Sequence, residues 1–461
     1  MQYLGIEYQM KHPPKLDPTF IPFGVWREAY LKGAEKPLAI ALERDKGRIS
    51  VHHTFIHGTP EMAEADYRYV ERYVKFLLWS TGGFRVSICG CSELAQRLQK
   101  AYTPEGERHF DYTFVNQLYE RNLEILDLPL EACPQANEVA EPMGGNMEGC
   151  RIGFDAGGSD RKVSAVIDGE CVYSEEVIWF PKLQEDPEYH FQHIVEALKT
   201  AASKMPRVDA IGVSTAGTLI GNAPMVASLF IKVPRSQWDK VKTIYDRAAA
   251  EIDPNIPVLV ANDGDVSALA GAMGLGKGNL MGIAMGTSEA GGYGAEDQNV
   301  LGWINELAFA PVDLQANAMQ DEWSTDYGVG CKYFSQDAVI KLAPVAGIEL
   351  DESLSLAEKL KAVQALMEQD DPRAIALFET IGAYLGYTVV QYSQFYNIDY
   401  MMLMGRVMSG KGGDTILRVC NEILADEYPE LAKKCLVTLP DEKMRRVGQA
   451  VAAASLPKLN K

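Results

Sequence analysis

Apolar positions along the chain change period several times, and each change marks an element. Met1–Ala34 has no period; it is irregular, Pro-rich and aromatic. Pro37–Ile56 reads as a strand pair. Asp66–Leu78 has helical spacing, Arg85–Gly90 reads as a strand, Glu93–Tyr102 as a helix and Phe110–Leu126 as a further helical stretch. Pro134–Cys150 then loses periodicity and fills with Pro, Gly, Asn and Glu, which predicts a linker over 136–150. Beyond it, Arg151–Asp155, Arg161–Ile167 and Glu170–Ile178 form a predicted meander, with Asp168-Gly169 as a two-residue hairpin turn. Helical spacing follows over Glu188–Lys204, a strand over Val208–Val213, a helix over Gln237–Ile252 and a strand over Pro257–Ala261. An Ala-rich helix runs to Met273, and Asn279–Met285 is a strand. Ala362–Phe395 is helical with a break at Asp371-Pro372. Asp399–Met404 is a strand, and Lys411–Ala425 and Glu442–Ala454 are helices. Strands first, then strands alternating with helices, in two successive halves, predict an α/β protein with two lobes.

Composition narrows the class. At 47% hydrophobic and 23% charged, the 461 residues match a globular chain of two or three domains. The net charge of −19 opposes binding to nucleic acid or to anionic membranes, which both depend on neutralising phosphate. No apolar run reaches the length needed to span a bilayer, and the start shows no signal-peptide pattern. The eight cysteines are scattered, with Cys89-x-Cys91 the one close pair, so a cytoplasmic location is expected. The seven histidines end at His193.

Four clusters carry candidate chemistry. In "FDAGGSD", Asp155 ends a strand and Gly157-Gly158-Ser159 forms a turn that lets backbone approach a phosphate, with Asp155 set to orient a hydrated cation; an ordinary β-turn is the alternative. In "VLVANDGD", Asn262-Asp263 stands at the C-terminal end of an apolar strand, where α/β sheets bind ligands. A carboxylate there can accept a hydroxyl proton; alternatively Asp263 or Asp265 caps the helix, and both hold if Asp265 caps and Asp263 stays free. "MGTSEAGG" offers a second turn of the same style, with Gly286 and Thr287. "MMLMGRVMSGKGGD" is a strand, then Gly405, then a glycine-rich helix entry on which an adenosine could lie; a plain strand-to-helix loop is the alternative. The chain has no GxxxxGK[ST], no HExxH, no GxSxG elbow and no dinucleotide fingerprint in context.

In this order the four clusters resemble the superfamily of actin, the heat-shock ATPases and sugar kinases, and within it the ROK family of sugar kinases and repressors. The resemblance runs from Cys150 to about Pro457 through Ile152–Val166, Asn262–Met273, Gly286–Gly292, the Gly382 and Gly386 helix before Asp399–Met404, and the closing "RRVGQAVAAASLP". It implies the two-lobed actin-like ATPase fold (ribonuclease H-like), with residues 151–265 as lobe I, a C-terminal helix 441–456 packing back on it, and 266–440 as lobe II. Residues 1–135 are then an N-terminal α/β extension. Their pattern is similar to the start of lobe I, so a degenerate half-copy and an unrelated extension both fit.

The resemblance implies transfer of the γ-phosphoryl group of ATP, with Mg²⁺, to a sugar hydroxyl. It makes Asp263 the catalytic base, with Asn262, Asp263 and Glu306 (from "NELAFAPV") as sugar-binding residues. Gly157, Gly158, Ser159, Gly286, Thr287 and Gly405 would hold ATP, and Asp155 would position the metal. A homodimer is expected, without nucleic acid or membrane as partner. The sequence departs from the family in places. Phe309 replaces a His, the zinc motif has shrunk to Cys331 in "DYGVGCKYF", and no structural zinc is expected. Asp160 stands where a Lys is common, Ser288-Glu289 replace a Gly-apolar pair, and Arg406 replaces a Gly. Glu289 is expected beside the phosphates, making ATP binding dependent on Mg²⁺. A non-catalytic sugar-binding sensor or scaffold of the same fold is the alternative function. An ATPase that drives electron transfer ranks last, because no cysteine pair suits a cluster.

Overall fold

The computed structural model describes residues 1–139, 141–142, 144–296, 299–440 and 448–459. The first lobe is built on a five-stranded sheet in the order Glu170–Ile178, Asp160–Ile167, Cys150–Ala156, Ala210–Thr215, Val258–Asn262. The first three strands pair antiparallel and the last three parallel. Asp168 and Gly169 both take positive φ (47° and 86°), which a tight hairpin between right-twisted strands requires. The crossover helix Pro187–Ala202 starts where Asp186 accepts the Glu188 amide and Pro187 occupies the first turn. The helix expected over Gln237–Ile252 is broken at Thr243 into Trp238–Lys242 and Ile244–Ala250.

The second lobe carries a four-stranded sheet in the order Glu289–Gly294, Leu280–Met285, Tyr400–Met404, Leu436–Thr438. The first pair is antiparallel and the others parallel. The segment "SEAGG", expected as an extended turn, is thus mostly strand. Helices Leu356–Glu368 and Pro372–Ser393 meet at the predicted break: Ser355 and Glu358 form a reciprocal cap on the first, and Asp371 caps the second ahead of Pro372. The helix Gln449–Ala454 returns to the first lobe. A methyl added to Gly153 would lie 1.6 Å from the Ala450 carbonyl oxygen and one on Gly212 1.7 Å from that of Ala453, so only glycine lets this helix sit on the two central strands. The remainder of the expected C-terminal helix, 441–447, lies outside the described residues.

The front third is more ordered than its sequence suggests. Phe23–Leu31 is a helix inside the stretch expected to be irregular, and the helical run expected to Leu126 ends at Tyr119, giving way to a strand, Glu124–Leu128. Its sheet has the order Ile49–Ile56, Lys36–Glu43, Arg85–Cys89, Glu124–Leu128. Lys36–Glu43 runs antiparallel to Arg85–Cys89, whereas the pair a half-copy would make equivalent, Cys150–Ala156 and Ala210–Thr215, is parallel.

This front region shares one apolar core with the second lobe: Phe20, Trp26, Tyr30 and Trp79 pack in the same cluster as Phe309, Tyr333 and Tyr384. A buried ionic network reinforces the junction. Arg72 and Arg108 both bond Glu71 (2.6 Å each) and Asp326 (3.1 and 2.7 Å), and Lys75 reaches Asp111 (2.8 Å) and Asp326 (3.1 Å). The segment expected as a linker is packed too: Asn137 exchanges backbone bonds with Ile49, and Asn146 bonds the Ser455 carbonyl.

Candidate active site

Register alone brings the first two clusters together. Ser214 lies level with Asp155 on one side and Ala261 on the other, so Asp155 and Asn262-Asp263 share the C-terminal edge of the parallel strands. Asp155 accepts the Ser214 hydroxyl at 2.8 Å. Burial, with Asp263 and Asp160 adding to it, pushes its carboxyl up to about 6 against the pull of Ser214 and Lys162.

Asn262, rather than Asp265, caps the helix Asp263–Leu275: its Oδ1 accepts the Gly264 amide at 2.7 Å while its Nδ2 donates to the Gly217 carbonyl at 2.8 Å. The amide is therefore largely spent on the backbone, which leaves one N–H and one lone pair for a substrate. Asp263 begins the helix, half-buried, with Oδ1 accepting Gly264 N at 2.9 Å. Burial raises its carboxyl above the ordinary range, opposed by the Gly264 amide and by Lys182. Gln449 in the last helix braces the same spot, donating to the Asp263 carbonyl (2.9 Å) and to Ser214 Oγ (3.1 Å).

The second lobe closes on this edge through bare backbone. A methyl on Gly264 would lie 2.1 Å from the Gly291 carbonyl oxygen, and one on Gly292 2.0 Å from that of Gly264. The helix start at Asp263 therefore rests directly on the strand Glu289–Gly294. Glu306 joins here. Burial is the main cause of its carboxyl rising to about 8, with Asp263 and Asp265 adding to it. Asp265, which the sequence offered as a cap, instead accepts from Asn305 Nδ2 (2.9 Å) and the Tyr293 amide (3.3 Å), and burial lifts it to about 7. Asn305 is in turn fixed by the front region, its amide donating to the Ser80 carbonyl at 2.9 Å.

The remaining glycine motifs fall into place in two ways. Gly157 and Gly158 do not take positive φ; close backbone approach is what selects Gly157. A methyl on Gly157 would meet the Asp160 carbonyl oxygen at 2.7 Å, and one on Gly158 would meet Lys182 at 3.0 Å. Gly405 does need positive φ (95°), and its Cα faces the Met285 backbone so closely that a methyl would lie 2.3 Å from the Met285 oxygen. Gly286-Thr287 and Gly405 therefore share the C-terminal edge of neighbouring parallel strands.

Glu289 corrects the sequence expectation. It is 4% exposed and turned into the second lobe, with Oε1 accepting the Tyr392 hydroxyl at 3.1 Å and Oε2 packed against Gly330. Burial raises it to about 8, so it is largely neutral at pH 7 and does not repel phosphate. The dependence on Mg²⁺ argued from Glu289 goes with it.

No protein-family model matches the sequence, and no curated protein matches it significantly. Solved structures do match. A ROK hexokinase from Thermus thermophilus aligns over 66% of this chain and 97% of its own at 17% identity, with a TM-score of 0.50. A putative sugar kinase from Cytophaga hutchinsonii aligns over 66% and 98% at 14% identity, also at 0.50. A ROK family transcriptional regulator, a homolog of the E. coli MLC protein, aligns over 67% and 79% at 15% identity, again at 0.50. The fold is the two-lobed actin-like fold of the ROK proteins. Each of these ROK structures leaves about a third of this chain unmatched. The ROK resemblance read from the motifs and the ROK fold found by comparison agree. Phe309, at the family's His position, packs against Trp79, Phe110 and Trp323, and among the described residues no group of three or more His, Cys, Asp or Glu side chains is arranged to hold a metal.

Proposed function

We propose that this protein transfers the γ-phosphoryl group of ATP to a sugar hydroxyl. The observation that carries the reading is the convergence of Asp263, Glu306 and Asp155 at the junction of the lobes, with the Gly157-Gly158 and Gly286-Thr287 turns on the same strand edges. Asp263 takes the acceptor hydroxyl proton as the oxygen attacks the γ-phosphorus. Its raised carboxyl suits a base that must be regenerated after each turnover. Glu306 and the free side of Asn262 hold neighbouring sugar hydroxyls. Gly157, Gly158, Ser159, Gly286 and Thr287 receive the phosphates, and the adenosine lies against Gly405. Mg²⁺ fits the donor set: that ion keeps most of its waters and needs one or two carboxylates beside the nucleotide phosphates, which Asp155 supplies, and it would contribute charge neutralisation.

A second reading, a sugar-binding sensor without turnover, draws support from the ROK regulator that shares the fold and from Asp160 and Ser288 in the phosphate turns. The two separate on a panel of hexoses, amino sugars and ketoses. A kinase releases ADP with at least one of them. A sensor is thermally stabilised by a sugar and releases none.

A further inference from the structure

Lys182 belongs to none of the motifs. It sits in the single 3₁₀ turn Pro181–Leu183 that follows the edge strand of the first lobe. This turn is fastened to the glycine hairpin. Trp179 Nε1 donates to the Gly157 carbonyl at 2.8 Å, and the Trp179 amide donates to the Ser159 carbonyl at 3.2 Å. From the other side, buried His190 donates through Nε2 to the Pro181 carbonyl at 3.1 Å.

The side chain folds back over the hairpin. A methyl on Gly158 would lie 3.0 Å from Lys182 Cε and 3.1 Å from Nζ, so the amine fills the space that glycine leaves open. Among the described residues it makes no ion pair within 4.0 Å. The neighbouring Lys162 is different: it leans on Asp160 (3.6 Å) and Glu176 (3.9 Å). The charge of Lys182 is also felt at Asp263. A long side chain free in water gains little by lying across a bare backbone, whereas an anion seated on that backbone would meet the ammonium at once.

We propose that Lys182 is a catalytic residue that contacts the transferred phosphoryl group, between the Gly157–Ser159 hairpin and Asp263. This rests on the phosphoryl-transfer reading above. The acceptor oxygen forms the new bond to phosphorus, and the bond from phosphorus to the bridging oxygen of ADP breaks, its electron pair leaving with ADP. The hydroxyl proton passes to Asp263. Lys182 exchanges no proton; it carries charge on the equatorial oxygens as the transfer proceeds.

The test uses full-length protein and Lys182→Met. The position is exposed, and the melting temperature of the variant is expected to equal that of the parent. Calorimetric titration with Mg·ATP, and separately with inorganic tripolyphosphate, should show at least about tenfold weaker binding in Lys182→Met. Where a sugar supports ADP release, kcat should fall about 10²–10³-fold with the sugar KM unchanged. Equal affinity and equal kcat in the two proteins would overturn the assignment, as would a parent protein that binds neither phosphate probe. Lys182-dependent binding of Mg·ATP, without ADP release on any sugar, would instead sink the kinase reading and leave the phosphate contact standing.

Discussion

Asp155, Asp263, Asp265, Glu306 and Glu289 all sit above the ordinary carboxylate range, and burial is the leading cause in each. What separates them is what they face. Asp155, Asp263, Asp265 and Glu306 are linked electrostatically, so the acid limb of kcat/KM should lie above the range of an exposed aspartate, and a pH–rate profile checks it. Glu289 faces Tyr392 and the second-lobe interior alone. Its folded-state carboxyl stands at about 8 against 4.5 in the unfolded chain, so its contribution to stability is whole below about pH 4.5 and is lost as pH rises toward 8. Glu289→Gln should therefore melt close to the parent at pH 5 and several degrees above it at pH 8.5, by calorimetry at both values. At this scale Asp263 was readable as a carboxylate at a strand end, whereas Glu306, which precedes a 3₁₀ turn, came only from the resemblance of "NELAFAPV" to the ROK sugar-binding segment. Lys182 was not: one lysine in a strand-exit turn has no sequence signature, and only the glycine opposite it shows where the amine lies.

The elements decide how closely the two lobes approach, and they do so through glycine. Gly153 and Gly212 admit the last helix, and Gly264 and Gly292 admit the contact between the Asp263 helix and the second-lobe strand. Gly212→Ala puts a methyl into the Ala453 carbonyl. It should cost at least about 1–3 kcal/mol by urea denaturation and should also lower ADP release, since Gln449 on that helix braces Asp263. The periodic elements with strong stop signals were readable: the Asp168-Gly169 hairpin, the Asp371-Pro372 restart, the strands that precede each motif. The end of the helix His109–Tyr119 was hidden, because it closes on Glu120 in the left-handed region (φ 53°) with no glycine to announce it. The strand Glu124–Leu128 that follows has five residues and pairs with Arg85–Cys89, far away in sequence, so its identity comes from tertiary pairing rather than local pattern. Helix Gln336–Val345 was missed for a related reason: it carries Pro344 within its last turn.

For the whole molecule, the front region is a structural partner of the second lobe and also touches the first. Arg235 donates to Gln117 at 2.7 Å, and Lys242 pairs with Glu120. Its firmest hold is the network around Asp326. Burial alone would raise that carboxyl, yet Arg72, Lys75 and Arg108 hold it well below the usual range. Asp326→Asn leaves three buried cations short of one counter-charge and should cost about 3–5 kcal/mol by chemical denaturation. The loss should be seen above the ordinary carboxylate range and should shrink as pH falls through it. The acidic surplus of the chain, 63 Asp and Glu against 44 Lys and Arg, makes a lysine at the Gly157–Ser159 hairpin with no ion pair among the described residues the more informative. The proposed activity depends above all on Asp263 as the base of a phosphoryl transfer to sugar. The direct measurement is ADP release by the parent and by Asp263→Asn across the sugar panel at saturating Mg·ATP. Sugar-dependent release by the parent with at least one sugar is expected, with a loss of at least about 10²–10⁴-fold in the variant. Release that survives Asp263→Asn, or a parent that a sugar stabilises thermally without any release of ADP, would contradict it.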